Sequence, residues 1–298
     1  MPDRARISEL HSQVKNRILL ALPESEFRQI SRHLAFVELR EGQVLYNADN
    51  WIDYAYFMNS GMTSSVSVTT EGQTIEDGTV GHEGLMGGPA ALGKCEIFCT
   101  GIVQIPGNAL RIGSQALKFE YQHSAGLSKL LLDYMLDLRI RLSESCICND
   151  LHSLQQRLCC LLLTSQDCSQ SYSFPFTYKF LSHIVGATRE AVALTVYALH
   201  EAGLISYRHS RIRIMDREAM ERRACRCYQI SAHKYDQPAS LGETNGAGPQ
   251  EGVSGAARTN PCPHLPGSIL KKDNTANLNH AEDWWKWIAE AGIEALDS

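Results

Sequence analysis

No run of apolar residues in this chain approaches the roughly 18–20 that a membrane-crossing helix requires, and a membrane partner is not expected. The start, Met1-Pro2-Asp3-Arg4, has neither the basic opening nor the apolar core of a secretion signal, which points to the cytoplasm. Enzyme fingerprints are missing as well. There is no phosphate-cradling glycine loop with its lysine, no dinucleotide fingerprint, no nucleophile elbow and no zinc-site spacing. The eleven histidines fall into no ligand pattern. These absences predict a protein that is not an enzyme, with no catalytic residues, no cofactor and no resident metal.

Cysteine is not scarce, but its distribution excludes a disulfide framework. Ten cysteines stand at 95, 99, 146, 148, 159, 160, 168, 225, 227 and 262, in a chain too long to need covalent staples, so free thiols are expected. Cys146 and Cys148 with Cys159 and Cys160, or Cys225 with Cys227, leave a metal site or a redox pair open. The blander reading is that thiols on apolar helices are small core residues.

What the chain does have is apolar mass and an uneven charge. With 298 residues, 44% of them hydrophobic, it can build two ordinary domains. The net charge of −5 hides one basic island. Residues 174–228 carry nine Lys and Arg against five Asp and Glu, whereas 1–150 and 229–298 are net acidic. An acidic protein with one cationic segment holds an anionic partner there, if it has one.

From 36 to 113 the pattern is of short strands: 36–39, 44–46, 54–58, 64–69, 74–77 and 102–105. They are broken by Glu41-Gly42, Asn59-Ser60-Gly61, Glu71-Gly72, Gly81 and Pro106-Gly107. That spacing predicts a small antiparallel sandwich or barrel, preceded by short helices over 17–34. A single long helix is predicted over 114–145, with Leu127, Leu131, Tyr134, Leu138 and Leu142 in one stripe at steps of three and four. Leu130, Leu132, Met135, Leu136 and Ile140 cover its other faces, so it must be buried on several sides, by its own barrel and by a second copy. The stripe from Leu127 to Leu142 is the expected dimer interface. Another helix is predicted over 154–163. Residues 229–298 read as a mostly disordered tail rich in Gly, Pro, Asn, Ser and Thr, with a short helix at 280–297.

The most specific signal is at 177–199. Thr177 is a sound N-cap; Phe180, Leu181, Ile184 and Val185 make an apolar face; Gly186 suits a left-handed helix stop. Thr188 caps a second helix whose Val192, Val196 and Leu199 face inward. A small residue at Ser182, glycine four later and valine six later again is helix-turn-helix spacing. Residues 201–214 then read as a turn and a tight hairpin with Arg208–Arg211 at its tip, a wing placed to meet phosphates.

These motifs resemble the Crp/Fnr superfamily of regulators. Residues 177–214 are similar to its DNA-binding domain. Tyr56-Phe-Met-Asn-Ser-Gly61, Gly72 and Val80-Gly-His-Glu-Gly-Leu-Met-Gly87 resemble its β-roll sensor, and Ile105–Arg111 suits one sub-branch. The resemblance covers about residues 15–228. It implies an α+β chain with a cyclic-nucleotide-binding-like β-roll at 15–113, a dimerisation helix at 114–147 and a winged helix-turn-helix at 148–228. It also implies a homodimer on a palindromic double-stranded DNA operator, with half-sites one turn, ~34 Å, apart, and RNA polymerase as a partner.

Carried over by position, Arg189 and Glu190 fall on base-reading positions, beside the cap Thr188 on recognition helix 188–199. Thr177, Tyr178 and Lys179 fall on phosphate-contacting ones, with Arg208 and Arg211 on the wing. Leu194 stands where many members have a second reading arginine, so the operator should differ from the commonest one. In the effector pocket Glu83 takes the ribose-contacting position. Between Gly93 and Gly101, however, there is no arginine for a cyclic phosphate, only Lys94 as a point charge. A buried phosphate without a cationic partner is costly, so cyclic-nucleotide binding is not expected. No cysteine precedes Cys95, unlike the N-terminal cluster of iron–sulfur members. The alternative from another class is a signalling or scaffold protein whose winged helix binds protein.

Overall fold

Glycines at the predicted breaks shape the first half of the molecule, though not always by ending a strand. The computed structural model describes residues 12–48, 50–68, 74–93 and 98–229. The predicted helix at 280–297, and Lys94, lie outside them. Two short helices, α1 (Arg17–Leu20) and α2 (Glu24–Ile30), lead into strands β1 (Ala35–Leu39), β2 (Val44–Tyr46), β3 (Tyr54–Val68), β4 (Thr74–Val80), β5 (Leu85–Met86) and β6 (Cys99–Gly113). All six pair antiparallel in one sheet of order β1-β6-β3-β4, with β2 added to β6 and β5 to β3.

Sequence spacing predicts two strands either side of Asn59-Ser60-Gly61, but a single strand of 15 residues runs through it. Its register with β6 shifts at Met58/Ser60, Ser60/Met62 and Met62/Thr63. Gly61 at φ +79 bends the strand without ending it, because an extra residue in one strand kinks the ladder and keeps most of its hydrogen bonds. A Cβ at Gly61 would lie 2.5 Å from the Ile105 carbonyl oxygen, so the bend requires glycine.

The single helix predicted over 114–145 is two: α3 (Ser114–His123) and α4 (Ala125–Leu151). The cause is local competition. Ser124 leaves helical geometry (φ −115, ψ 108) and its hydroxyl accepts from the Leu127 amide. The Glu26 carboxylate accepts from the Gly126 amide at 3.0 Å and from the Ser124 hydroxyl. A serine and a carboxylate together satisfy the free amides of a new first turn. Helix α4 then runs to Leu151, six residues beyond the expected end.

Helix α5 (Leu154–Ser169) starts with a capping box, Ser153 with Gln156. Strand β7 (Ser173–Phe174), helices α6 (Tyr178–Ile184) and α7 (Arg189–Glu201), strands β8 (Ile205–Arg208) and β9 (Arg211–Ile214), and helix α8 (Arg217–Arg223) complete the second half. Its core gathers Leu158, Leu162, Phe174, Leu181, Val192, Val196 and Ile212, with Met62 and Ile105 of the β-roll packed into the same cluster. The other core lies between the roll and α3–α4, around Phe57, Met58, Leu110, Leu117 and Leu131.

The segment Gly81–Gly84 joins the two halves. Gly81 lies so close to α5 that a Cβ there would sit 2.4 Å from the Cβ of Cys168. His82 donates its backbone amide to the Cys168 carbonyl at 3.3 Å. A Cβ at Gly84 would strike the Tyr134 ring of α4 at about the same distance, 2.4 Å from its hydroxyl oxygen.

Candidate nucleic-acid interface

The helix-turn-helix is built by its caps. The Thr177 hydroxyl accepts from the Phe180 amide at 3.1 Å, and the Thr188 hydroxyl accepts from the Ala191 amide at 3.2 Å. Gly186 at φ +59 makes the turn between the helices, a backbone state that costs glycine nothing. Ser182 is buried where the helices approach, and Val192 fills the angle between them with no exposed surface. Val196 and Leu199 continue that inward face.

The opposite face of α7 presents Arg189 and Glu190 to solvent, followed by Leu194 at 72% and Tyr197 at 61% exposure. Side chains this large and apolar normally bury area worth ~1.5–3 kcal/mol each. Here they stand outward beside an arginine and a glutamate. Positions 190, 194 and 197 recur at steps of four and three, which puts them on one helical stripe. Sequence reasoning passed over Tyr197, although that spacing marks it. Leu194 cannot donate a hydrogen bond, but its methyl groups suit the methyl of thymine.

The wing turns on His209 and Ser210, both at positive φ (49 and 55), with Arg208 opposite Arg211. Two left-handed residues in a two-residue loop are the twist-matched hairpin turn. The loop therefore projects two arginines side by side at the tip, both exposed. They are not equivalent. Arg211 donates from Nε to the Ser173 hydroxyl at 3.3 Å and from Nη2 to the Ser173 carbonyl at 3.4 Å. Its charge also reaches Glu41 on the β-roll, whose carboxyl is pushed up by burial and drawn back down by Arg211. Tyr178 stacks on Tyr207 with ring centroids 4.6 Å apart, fixing the start of α6 to the wing. Lys179 is half-buried on the same turn. Thr177, Tyr178 and Lys179 thus open α6, Thr188, Arg189 and Glu190 open α7, and Arg208 and Arg211 pair at the wing tip.

The expected dimer stripe is placed otherwise. Leu127, Leu131 and Tyr134 are buried inside the protomer, against the β-roll. Leu138 and Leu142 face Gly78 of β4, whose Cβ would meet their methyl groups at 3.7 and 3.3 Å. The apolar residues of α4 left exposed are Leu132, Leu136 and Ile140, followed by Ile147. They lie on the opposite side of the helix.

Glu83, expected in an effector pocket, is buried and engaged. Its carboxylate accepts from the Gly81 amide at 3.1 Å and pairs with Arg141 of α4 at 3.3 Å. It ties the Gly81–Gly84 segment to the long helix; Lys94, the other residue expected in that pocket, falls outside the described residues.

Three comparisons bear on this arrangement. The Crp-like helix-turn-helix domain model matches residues 156–223. Among solved structures, FixK2 from Bradyrhizobium japonicum is 12% identical, with a TM-score of 0.55 over 64% of this chain and 98% of its own. A Crp/Fnr-family transcriptional regulator from Eubacterium rectale is 15% identical, with a TM-score of 0.52 over 68% and 94%. TTHB099, a CRP-family regulator from Thermus thermophilus, is 18% identical, with a TM-score of 0.51 over 63% and 96%. No curated protein matches the sequence. The chain therefore carries a Crp-like helix-turn-helix domain on the fold of the Crp/Fnr transcription regulators. No helix among the described residues is long and apolar enough to cross a membrane.

Proposed function

We propose that the chain is a cytoplasmic, sequence-specific transcription regulator that works as a homodimer beside RNA polymerase. Two copies meet along the exposed stripe of α4, Leu132, Leu136 and Ile140, and each places α7 in the major groove of one operator half-site. The observation that carries this reading is the outward face of α7. Arg189, exposed at the start of α7, can offer two N–H donors of its guanidinium fork to a guanine edge. Glu190 beside it can accept from cytosine N4, and Leu194 can cover a thymine methyl. Lys179 and Arg208 flank the helix at the height of the backbone and take phosphates. The charge distribution supports the same placement, because the only cationic segment of an acidic chain is the one carrying the reading head.

Selection of genomic fragments by the purified protein tests this directly. The expected result is one enriched motif with two-fold symmetry and half-site centres one helical turn apart. Retention of DNA without sequence preference, or of none, would remove the regulator reading.

A further inference from the structure

Eight cysteines fall within the described residues, all free thiols; Cys99 is half-buried on β6, Cys146 is exposed, and the other six divide into two kinds. Cys159 and Cys168 are buried among Leu158, Leu162 and Met220 and behave as small apolar residues. Cys148, Cys160, Cys225 and Cys227 instead meet one another. Cys148 Sγ lies 3.5 Å from Cys225 Sγ, and Cys160 Sγ 3.2 Å from Cys225 Sγ. His152 turns Nδ1 toward Cys227 Sγ at 3.6 Å. The donor atoms of Cys148, His152, Cys225 and Cys227 all lie within 4.8 Å of one another, beside a cavity of ≈ 410 Å³ that Cys148, Cys160 and Cys227 help to line.

We infer that Cys148, His152, Cys225 and Cys227 form a tetrahedral site for Zn²⁺. The donor set is three sulfurs and one imidazole nitrogen, a combination that selects a thiophilic, four-coordinate ion. A tetrahedron with Zn–S of about 2.3 Å and Zn–N of about 2.0 Å has edges of roughly 3.4–3.8 Å. The Cys148–Cys225 and Cys227–His152 separations already match. Mutual distances this short describe a single ion, since a two-iron cluster holds its cysteine pairs apart across the cluster. Cys148 and His152 are four apart at the end of α4, so the helix itself presents both on one side. Cys225 and Cys227 come from the residues just after α8. Binding takes up one Zn²⁺ and releases three thiol protons to solvent. The Cys160 S–H then donates to the Cys225 thiolate, a contact that stabilises its negative charge.

The placement gives the ion a task. His152 is the capping residue where α4 ends and the chain turns into the winged helix. An ion there pins the last residues of the reading domain to the end of the long helix.

The test uses the full chain, purified under reducing conditions, loaded with Zn²⁺ and desalted. Elemental analysis should find one zinc per chain, and Co²⁺ in its place should give the strong visible bands of a tetrahedral thiolate complex. Cys225→Ser and His152→Ala should lose stoichiometric metal. His152→Cys, which supplies a thiolate in place of the nitrogen, should keep it, as should Cys146→Ser at an exposed position outside the cluster. Should Cys225→Ser fail to fold, the two His152 variants still decide the matter. Overturning results are no metal above background in the unaltered reduced chain, or equal metal in His152→Ala and the unaltered chain. A Cys148–Cys225 or Cys160–Cys225 disulfide, with no metal uptake after its reduction, would also overturn the site.

Discussion

Helix α4 was expected to be covered on several sides and α7 on one, and the structure shows how differently the two are used. On α7 the positions Val192, Val196 and Leu199 form a single buried stripe, with Ala191, Ala193 and Thr195 half-buried beside it and Leu194 and Tyr197 exposed. On α4 two apolar stripes lie back to back. Leu127, Leu131, Tyr134, Leu138 and Leu142 face the β-roll, while Leu132, Leu136 and Ile140 face away. A helix with one stripe has one way to sit on a core. A helix with two can present either, and periodicity gives both the same weight.

The largest effect that would test this contrast is on the inner face of α4. Leu131→Ala removes a fully buried side chain and should cost ~2–5 kcal/mol of unfolding free energy, read by urea denaturation. A loss near zero would mean that the inner and outer stripes are exchanged.

On the outer face the readout changes from stability to association. Leu136→Glu, at a position 61% exposed in the protomer, should fold normally and sediment as a monomer at micromolar concentration. It places an unpaired carboxylate in an apolar contact. Leu138→Glu should instead destabilise the protomer by pressing charge against Gly78 and the roll. A monomer that folds normally in Leu138→Glu, with an unaltered dimer in Leu136→Glu, would restore the first assignment of the interface.

The outer face of α7 should show a smaller and more selective effect. Arg189→Ala is expected to cost ~1–3 kcal/mol on the selected operator and little on scrambled DNA, with preference relaxed at one base pair per half-site. Equal losses on both would make Arg189 a phosphate clamp.

Smallest of all is the change at the wing. Arg208→Ala should weaken binding to all sequences alike and flatten the dependence of log K on log salt by ~0.9 for the lost phosphate contact. Arg211→Ala should do less than Arg208→Ala, because Arg211 is already bonded to Ser173. A salt titration of the two variants side by side would show whether that internal bond matters.

Several features were legible because they depend on neighbours a few residues away. The caps at Thr177 and Thr188, the left-handed Gly186 and the turn at Gly42 all appear as the local sequence implied. The break at Ser124 was missed, although a serine can cap a helix. Its weight came from Glu26, which is about a hundred residues away in the chain and accepts the Gly126 amide. The fate of Glu83 was hidden for the same reason, because its partner Arg141 lies on another element.

By itself, then, the sequence determined the caps of α6 and α7, which segment is cationic, and that α7 has one inward and one outward side. These follow from capping, backbone freedom and periodicity, all short-range. Only the tertiary structure decided which stripe of α4 is covered, which charges are already paired, and which thiols share a site. Those outcomes depend on surfaces and donors brought together from distant parts of the chain. Equal hydrophobicity, equal charge or equal thiol chemistry in one dimension carries no information about which copy is met in three.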